Sequence, residues 1–181
     1  QRQMCIRDSA KTYWLQIDGI LEATDSIFMT TETSTSLGST GAGLWGGISV
    51  SSSGSAVLSN VSISGAESAL EVHGDATIHE SITISSSYIG FDIGSSGVVD
   101  AENVTMTTID IQAVVNHGTL SIDTGLFTNT ATGILSTMSL LANDVSFFNT
   151  GVAIDIVSGS AAVEGLGLSL IHISEPTRPV M

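Results

Sequence analysis

Residues 44–50 read Leu-Trp-Gly-Gly-Ile-Ser-Val, and this stretch decides the fold. Ile48 and Val50 alternate with Ser49, which is the pattern of a short strand with one apolar and one polar face. Similar short strands recur about every 20 to 22 residues down the chain. Aligned on Val50, they are residues 70–72, 91–93, 113–115, 134–136 and 154–156.

A second apolar strand follows each of these, and a third follows in all but the last repeat. The second set is 57–58, 77–78, 98–99, 119–120, 140–141 and 162–163; the third is 61–63, 82–84, 104–106, 125–127 and 145–147. Short strands at a fixed period, bounded by Gly, Ser, Asn and Asp, are typical of a solenoid. We predict an all-β protein, a right-handed parallel β-helix of about six to seven coils with three short strands per coil. Ile84 is then an inward residue.

The polar residues of the third strand are also periodic. A polar residue precedes each copy, at Asn60, Ser81, Asn103, Thr124 and Asp144, and predicts a ladder of side chains at a bend. The outward positions carry hydroxyls at Ser62, Ser64, Thr83, Ser85, Thr105 and Thr107, and this row lapses at Leu126 and Phe148. Outward strand positions commonly hold Ser and Thr, so this row by itself indicates no particular ligand.

A family resemblance rests on the first coils. Ile17-x-Gly19-x-Leu21-x-Ala23, then Ile27-x-x-Thr30, and after a loop Trp45-Gly46-Gly47-Ile48, resemble the first coils of secreted right-handed β-helix proteins of the pectate-lyase-like superfamily. That superfamily contains lyases, hydrolases, adhesins and surface proteins, so the resemblance implies the fold and an extracellular or cell-surface location, and leaves the activity open. We expect Trp45 to cover the stack where the loop rejoins it.

The two ends of the chain have a different character. Residues 1–9 and 168–181 resemble translations of opposite strands of one sequencing adapter, so we expect a natural segment from a metagenomic read between them. Within it, residues 10–43 are expected to form an incomplete first coil and a Ser/Thr/Gly loop, and 44–167 the parallel β-helix.

Composition narrows the possible partners. The net charge is −14, and no Lys or Arg lies between Lys11 and Arg178. Nucleic acids and anionic membranes are bound through Lys and Arg, so neither is an expected partner. The single cysteine, Cys5, excludes an internal disulfide scaffold. No run approaches the roughly 18 apolar residues of a membrane span.

The predicted register places acidic residues on one outer face. The outward column of the first strand is Ser49, Glu71, Asp92, Val114, Leu135 and Asp155, and the next outward column is Ser51, His73, Gly94, Asn116, Thr137 and Val157. Glu71 and Asp92 are therefore candidate catalytic residues, because stacked carboxylates can act as an acid/base pair. His73 and Asn116 are candidate binding residues. Glu71 and Asp92 are also the candidate ligands for calcium, the one cofactor this pattern would fit. An ordinary solvated acidic face explains the same residues.

Two absences weigh against catalysis. Lyases of the superfamily use Arg or Lys on the substrate, and its hydrolases carry an Asp pair and a Gly-His-Gly motif, of which Asn116-His117-Gly118 is the only echo. We therefore predict a non-catalytic segment of a larger secreted or cell-surface protein: a stalk, an adhesin or a surface that binds extracellular polysaccharide or another protein. The alternative is a polysaccharide hydrolase or lyase.

Overall fold

The computed structural model describes residues 13–29 and 45–169. Within these residues the chain forms thirteen β-strands and no helix. They are β1 (Trp14–Ile17), β2 (Ile20–Thr24), β3 (Ile27–Met29), β4 (Gly47–Val50), β5 (Ser55–Ser64), β6 (Ser68–Val72), β7 (Asp75–Ile93), β8 (Val98–Asn116), β9 (Thr119–Ser136), β10 (Ser139–Asn143), β11 (Val145–Ile156), β12 (Ser160–Glu164) and β13 (Gly167–Ser169). No helix in this part of the chain could therefore cross a membrane.

Every strand pairs in parallel with the equivalent strand of the next coil. One ladder runs through Ile48, Leu70 and Phe91, and the strands join into a single sheet wound into about six turns. This confirms the predicted all-β parallel solenoid with stacked coils. The right-handed sense of the winding stays a prediction.

The three strands of a coil are separated by bends rather than by loops. β7 and β8 each pass through a whole coil with the pairing continued on both sides of its bends. Residues with a left-handed backbone mark the bends: Asp25, Asn60, Glu80 and Asp144 before the third strand, and Ser86, Thr108, Asn129 and Asn149 after it. Asn and Asp tolerate this conformation best, which explains why such residues recur with the repeat.

Polar side chains connect neighbouring coils at both bends. At the first bend, the predicted ladder is present where Asn60 Nδ2 donates to Asp25 Oδ1 and Ser81 Oγ donates to Asn60 Oδ1. Asn103 instead bonds to the Glu80 carbonyl. At the second bend, Asn149 Nδ2 donates to Asn129 Oδ1 at 2.7 Å. The Asn103 bond satisfies a backbone carbonyl at the bend, and the other bonds join side chains of neighbouring coils.

The core is a narrow stack of inward aliphatic and aromatic side chains. Ile48, Leu70 and Ile84 are fully buried, and the rings of Phe127 and Phe147 stack with centroids 4.9 Å apart. Each such side chain contributes about 1.5–3 kcal/mol through its burial. Because each coil buries these residues only against its neighbours, the stack is the source of stability.

One register prediction is wrong, at the fourth coil. Phe91 pairs with Val114, and Asp92 pairs with Val115, so the outward residue is Val115 and not Val114. The cause is one extra residue in β8, between Ile109 and Gln112, where the pairing shifts on both sides. Since side chains alternate, a shift of one residue exchanges the inner and outer faces.

The chain ends fall largely outside the description. Residues 1–12, 30–44 and 170–181 lie outside the described residues, so the adapter assignment and the predicted Ser/Thr/Gly loop stay predictions. Leu168 and Ser169, which belong to the predicted adapter segment, pair with Phe147 and Phe148 of β11.

Candidate functional site

The first strand of each coil builds one outer column of side chains. Gln16 pairs with Ser49, Ser49 with Glu71, and Glu71 with Asp92. Beyond Asp92 the column continues through Val115, Leu135 and Asp155. Neighbouring members are about 4.8 Å apart, the spacing of paired strands. We call these residues, from Gln16 to Asp155, the outer column.

Glu71 is the best-ordered carboxylate in the outer column. Ser49 Oγ donates to its Oε2 at 2.7 Å, and His73 Nε2 lies 3.2 Å from its Oε1. The His73 ring lies against the backbone of Gly94, where an added Cβ would stand 2.3 Å from Nδ1. Ser49, the glycine and the imidazole therefore hold the carboxylate in one orientation.

Asp92 lies one coil further along and is differently placed. It is half-buried, and its carboxylate makes no hydrogen bond or ion pair with any residue that the structure describes. Burial raises the pKa of Asp92 above its ordinary value, and the charge of Glu71 raises that pKa further. His117 and His73 act in the opposite direction. Asp92 therefore gives up its proton less readily than an exposed aspartate.

The expected surface position of Asn116 is wrong. Asn116 pairs with Ile93, faces inward and is fully buried. Its amide donates to Ser136 Oγ at 3.0 Å and to the Ser139 carbonyl at 2.8 Å, and its Oδ1 accepts from the Gly118 backbone. The extra residue of β8 turns it inward, so Asn116 is a buried polar cross-link and cannot contact a ligand outside.

His117 takes the outward place expected for Asn116. Its backbone nitrogen donates to the Ile93 carbonyl, as the equivalent nitrogen of His73 does to Val50. The ring is exposed, with Nδ1 2.8 Å from Thr137 Oγ1. The structure thus brings together Glu71, His73 and Asp92 as expected, and it adds His117 beside Asp92.

Comparison with known proteins adds no relative. No protein-family model matches this chain, and neither does any curated protein or solved structure. The resemblance to the pectate-lyase-like superfamily therefore stays a prediction, and functional argument rests on the residues themselves.

The chemistry open to this site follows from its contacts. The Ser49 hydroxyl donates to the Glu71 carboxylate and makes no hydrogen bond to a histidine among the described residues, so it lacks the imidazole base that commonly activates a serine nucleophile. Glu71 and Asp92 form a carboxylate pair whose members differ in environment, as an acid/base pair requires. In the described part of the chain, no three His, Cys, Asp or Glu side chains are grouped to hold a metal ion. Calcium at Glu71 and Asp92 stays a prediction.

Trp45 packs on the stack as predicted. Trp14, by contrast, was not among the predicted site residues. Trp45 is half-buried against the core, and its Nε1 donates to the Ser64 carbonyl at 2.8 Å. Trp14 lies on the outward face of β1, since Leu15 and Ile17 are the residues that contact the core. The alternation of residues 14–17 carried this signal, but the sequence did not show which strand they pair with.

Proposed function

We propose that this chain is a non-catalytic part of a larger extracellular or cell-surface protein, and that the part of its outer column from Gln16 to Asp92 binds polysaccharide. The observation that carries the proposal is the arrangement of Glu71, whose two oxygens are both engaged by Ser49 and His73. A carboxylate held in this way is a ready hydrogen-bond acceptor for a ligand hydroxyl. The flat, regularly spaced column suits an extended chain-like ligand.

The absence of basic residues supports binding rather than catalysis. No Lys or Arg lies between Lys11 and Arg178, so the described residues offer no lysine or arginine to stabilise a developing negative charge. The rest of the molecule is a regular stack, which suits a stalk that carries this surface away from a cell. Another surface protein is the other partner class that this architecture would serve.

Binding to immobilised glycans tests the proposal. The full chain should bind a subset of a glycan array, and Glu71→Gln should weaken that binding. Asp155→Asn is the matched control, because it removes the same charge from the same column three coils beyond Asp92. Clear turnover of a polysaccharide by the wild-type chain would overturn the non-catalytic role.

A polysaccharide hydrolase or lyase is the second candidate, and the raised pKa of Asp92 beside Glu71 is the observation that favours it. In such an enzyme Asp92 would donate a proton and Glu71 would be the second carboxyl group of the pair. Incubation with polysaccharides should then release reducing sugars, and Glu71→Ala should abolish the release. No release by the wild type, or equal release by the variant, would exclude this candidate.

A further inference from the structure

The Trp14 ring is seated flat on the neighbouring coil. An added Cβ at Gly46 would lie 2.5 Å from two ring atoms of Trp14 and 2.6 Å from a third, so only glycine leaves room for the ring. The side chain is nevertheless 38% exposed. One face of the indole is therefore supported by backbone, and the other is open to solvent. A rigid aromatic face of this kind is a favourable contact for a flat apolar group or for a cation.

This open ring shares its side of the solenoid with the outer column. Trp14 and Gln16 are both outward on β1, and Gln16 pairs with Ser49, which bonds Glu71. The ring is offset from the outer column by about 7 Å along the strand, and each coil towards Glu71 and Asp92 adds about 5 Å across the strands. These distances are within the span of a few linked sugar rings.

The charges on this side are all of one sign. Asp18 lies next to Gln16, and Glu71 and Asp92 follow on the second and third coils after it. Within the described residues Asp92 makes no hydrogen bond and no salt bridge, although His117 and His73 lie near enough to act on its pKa. A ligand that brings its own positive charge would relieve the repulsion between the two stacked carboxylates, whereas a uronate would add to it.

We propose that Trp14, Glu71 and Asp92 form a binding site for a glycan that carries free amino groups. The inference rests on the proposed polysaccharide-binding function and names the ligand class. The apolar C–H face of a pyranose stacks on the open face of Trp14, while the protonated amines of neighbouring sugars lie against Glu71 and Asp92. A glycan is favoured over a basic peptide because a pyranose presents a rigid flat face to the seated ring.

Calorimetric titration of the full chain with four ligands of similar length tests the inference. They are a β-1,4-linked glucosamine oligomer, its N-acetylated counterpart, an oligogalacturonate and an oligolysine. The glucosamine oligomer should bind, and N-acetylation should weaken it at least about tenfold, or about 1.4 kcal/mol. Added salt should weaken the amine-dependent part of the binding because it screens the carboxylates.

Variants assign the contacts. Trp14→Ala and Asp92→Asn should each weaken binding of the glucosamine oligomer about three- to thirtyfold, the range for cation–π and ionic contacts. Trp14→Phe should retain part of the affinity, which separates loss of the ring from loss of the fold. Asp155→Asn, about 14 Å from Asp92 along the stack, should bind as the wild type does.

The outcomes separate this inference from the proposed function. Equal affinity for the free and acetylated oligomers would overturn the amine preference and leave polysaccharide binding standing. Equal affinity for oligolysine, or preference for the oligogalacturonate, would also overturn it. If none of the glycans binds, both the inference and the proposed function fail for this ligand set.

Discussion

The first and third strands belong to the same coils, but their outer faces differ in charge. The first carries Glu71, Asp92 and Asp155, with His73 and His117 beside them. The third carries no ionisable side chain on its two outward columns. These columns are Ile27, Ser62, Thr83, Thr105, Leu126, Ser146 and Gly167, and Met29, Ser64, Ser85, Thr107, Thr128, Phe148 and Ser169.

This difference teaches which positions the fold constrains. Inward residues of both strands are apolar apart from Asn116 and Ser136 on the first strand, because the stack must bury them. Outward residues are free to vary, and exposed carboxylates also face outward on the second strand, at Glu22, Asp75 and Asp100. The third face, flat and uncharged, is the natural reference against which substitutions on the first can be judged.

The largest effect on stability is expected when a charge is placed on the inner side of the third strand instead of the outer side. Ile84 is fully buried and its neighbour Thr83 is exposed. Ile84→Asp places an unpaired charge in the stack and should prevent stable folding, since such a charge costs several kcal/mol. Thr83→Asp should change the free energy of unfolding by no more than about 0.5 kcal/mol. Urea unfolding followed by circular dichroism measures both, and a normally folded Ile84→Asp protein would refute the inward assignment.

A smaller loss of stability is expected at Asn116, a polar residue that faces inward on the first strand. Asn116→Ala removes the partner of the Gly118 backbone and leaves buried groups without hydrogen bonds. It should cost about 1–3 kcal/mol, seen as a lower urea midpoint. His117→Ala, one residue further and outward, should lie within about 0.5 kcal/mol of the wild type. Similar losses in the two variants would contradict the register shift in β8.

The charged face should show its own pH dependence. Because the pKa of Asp92 is raised in the folded state, its contribution to stability is full below the ordinary value of 3.8 and is lost as pH rises through the raised pKa. Asp92→Asn should therefore raise the melting temperature at pH 7, and the gain should vanish below pH 3.8.

Glu102, a carboxylate at the first bend, should show the opposite pH dependence. The Glu80 backbone nitrogen and His79 lower the pKa of Glu102 below its ordinary value of 4.5. Glu102→Gln should thus lower the melting temperature at pH 7, with the loss vanishing as pH falls through the lowered pKa. Shifts of the same sign at Asp92 and Glu102 would contradict these environments.

The smallest effect concerns calcium. Two carboxylates one coil apart supply only part of the six to eight oxygens that calcium takes, so binding at Glu71 and Asp92 should be weak. At its Kd calcium adds about 0.4 kcal/mol, which raises the melting temperature by about 1 °C. Asp92→Asn should abolish the rise and Asp155→Asn should keep it. A wild-type melting temperature that is identical in calcium and in chelator excludes the site.

The amino-acid sequence by itself determined the solenoid and most of its register. The period of about 20 to 22 residues and the alternation around Ile48 and Val50 suffice, because only stacked coils bury such short apolar strands. The same alternation placed Glu71, His73 and Asp92 on neighbouring coils, as the pairing confirms.

Only the tertiary structure decided the details that make these residues a site. Because β8 contains an extra residue, its apolar residues fit two alignments with the neighbouring coils. Only the strand pairing shows that Asn116 faces inward and His117 outward. The contact of Trp14 with Gly46 joins residues that are far apart in the sequence. The contact of Ser49 with Glu71 spans one whole coil. Periodicity reports which way a side chain faces, whereas contacts between coils depend on how the coils are stacked.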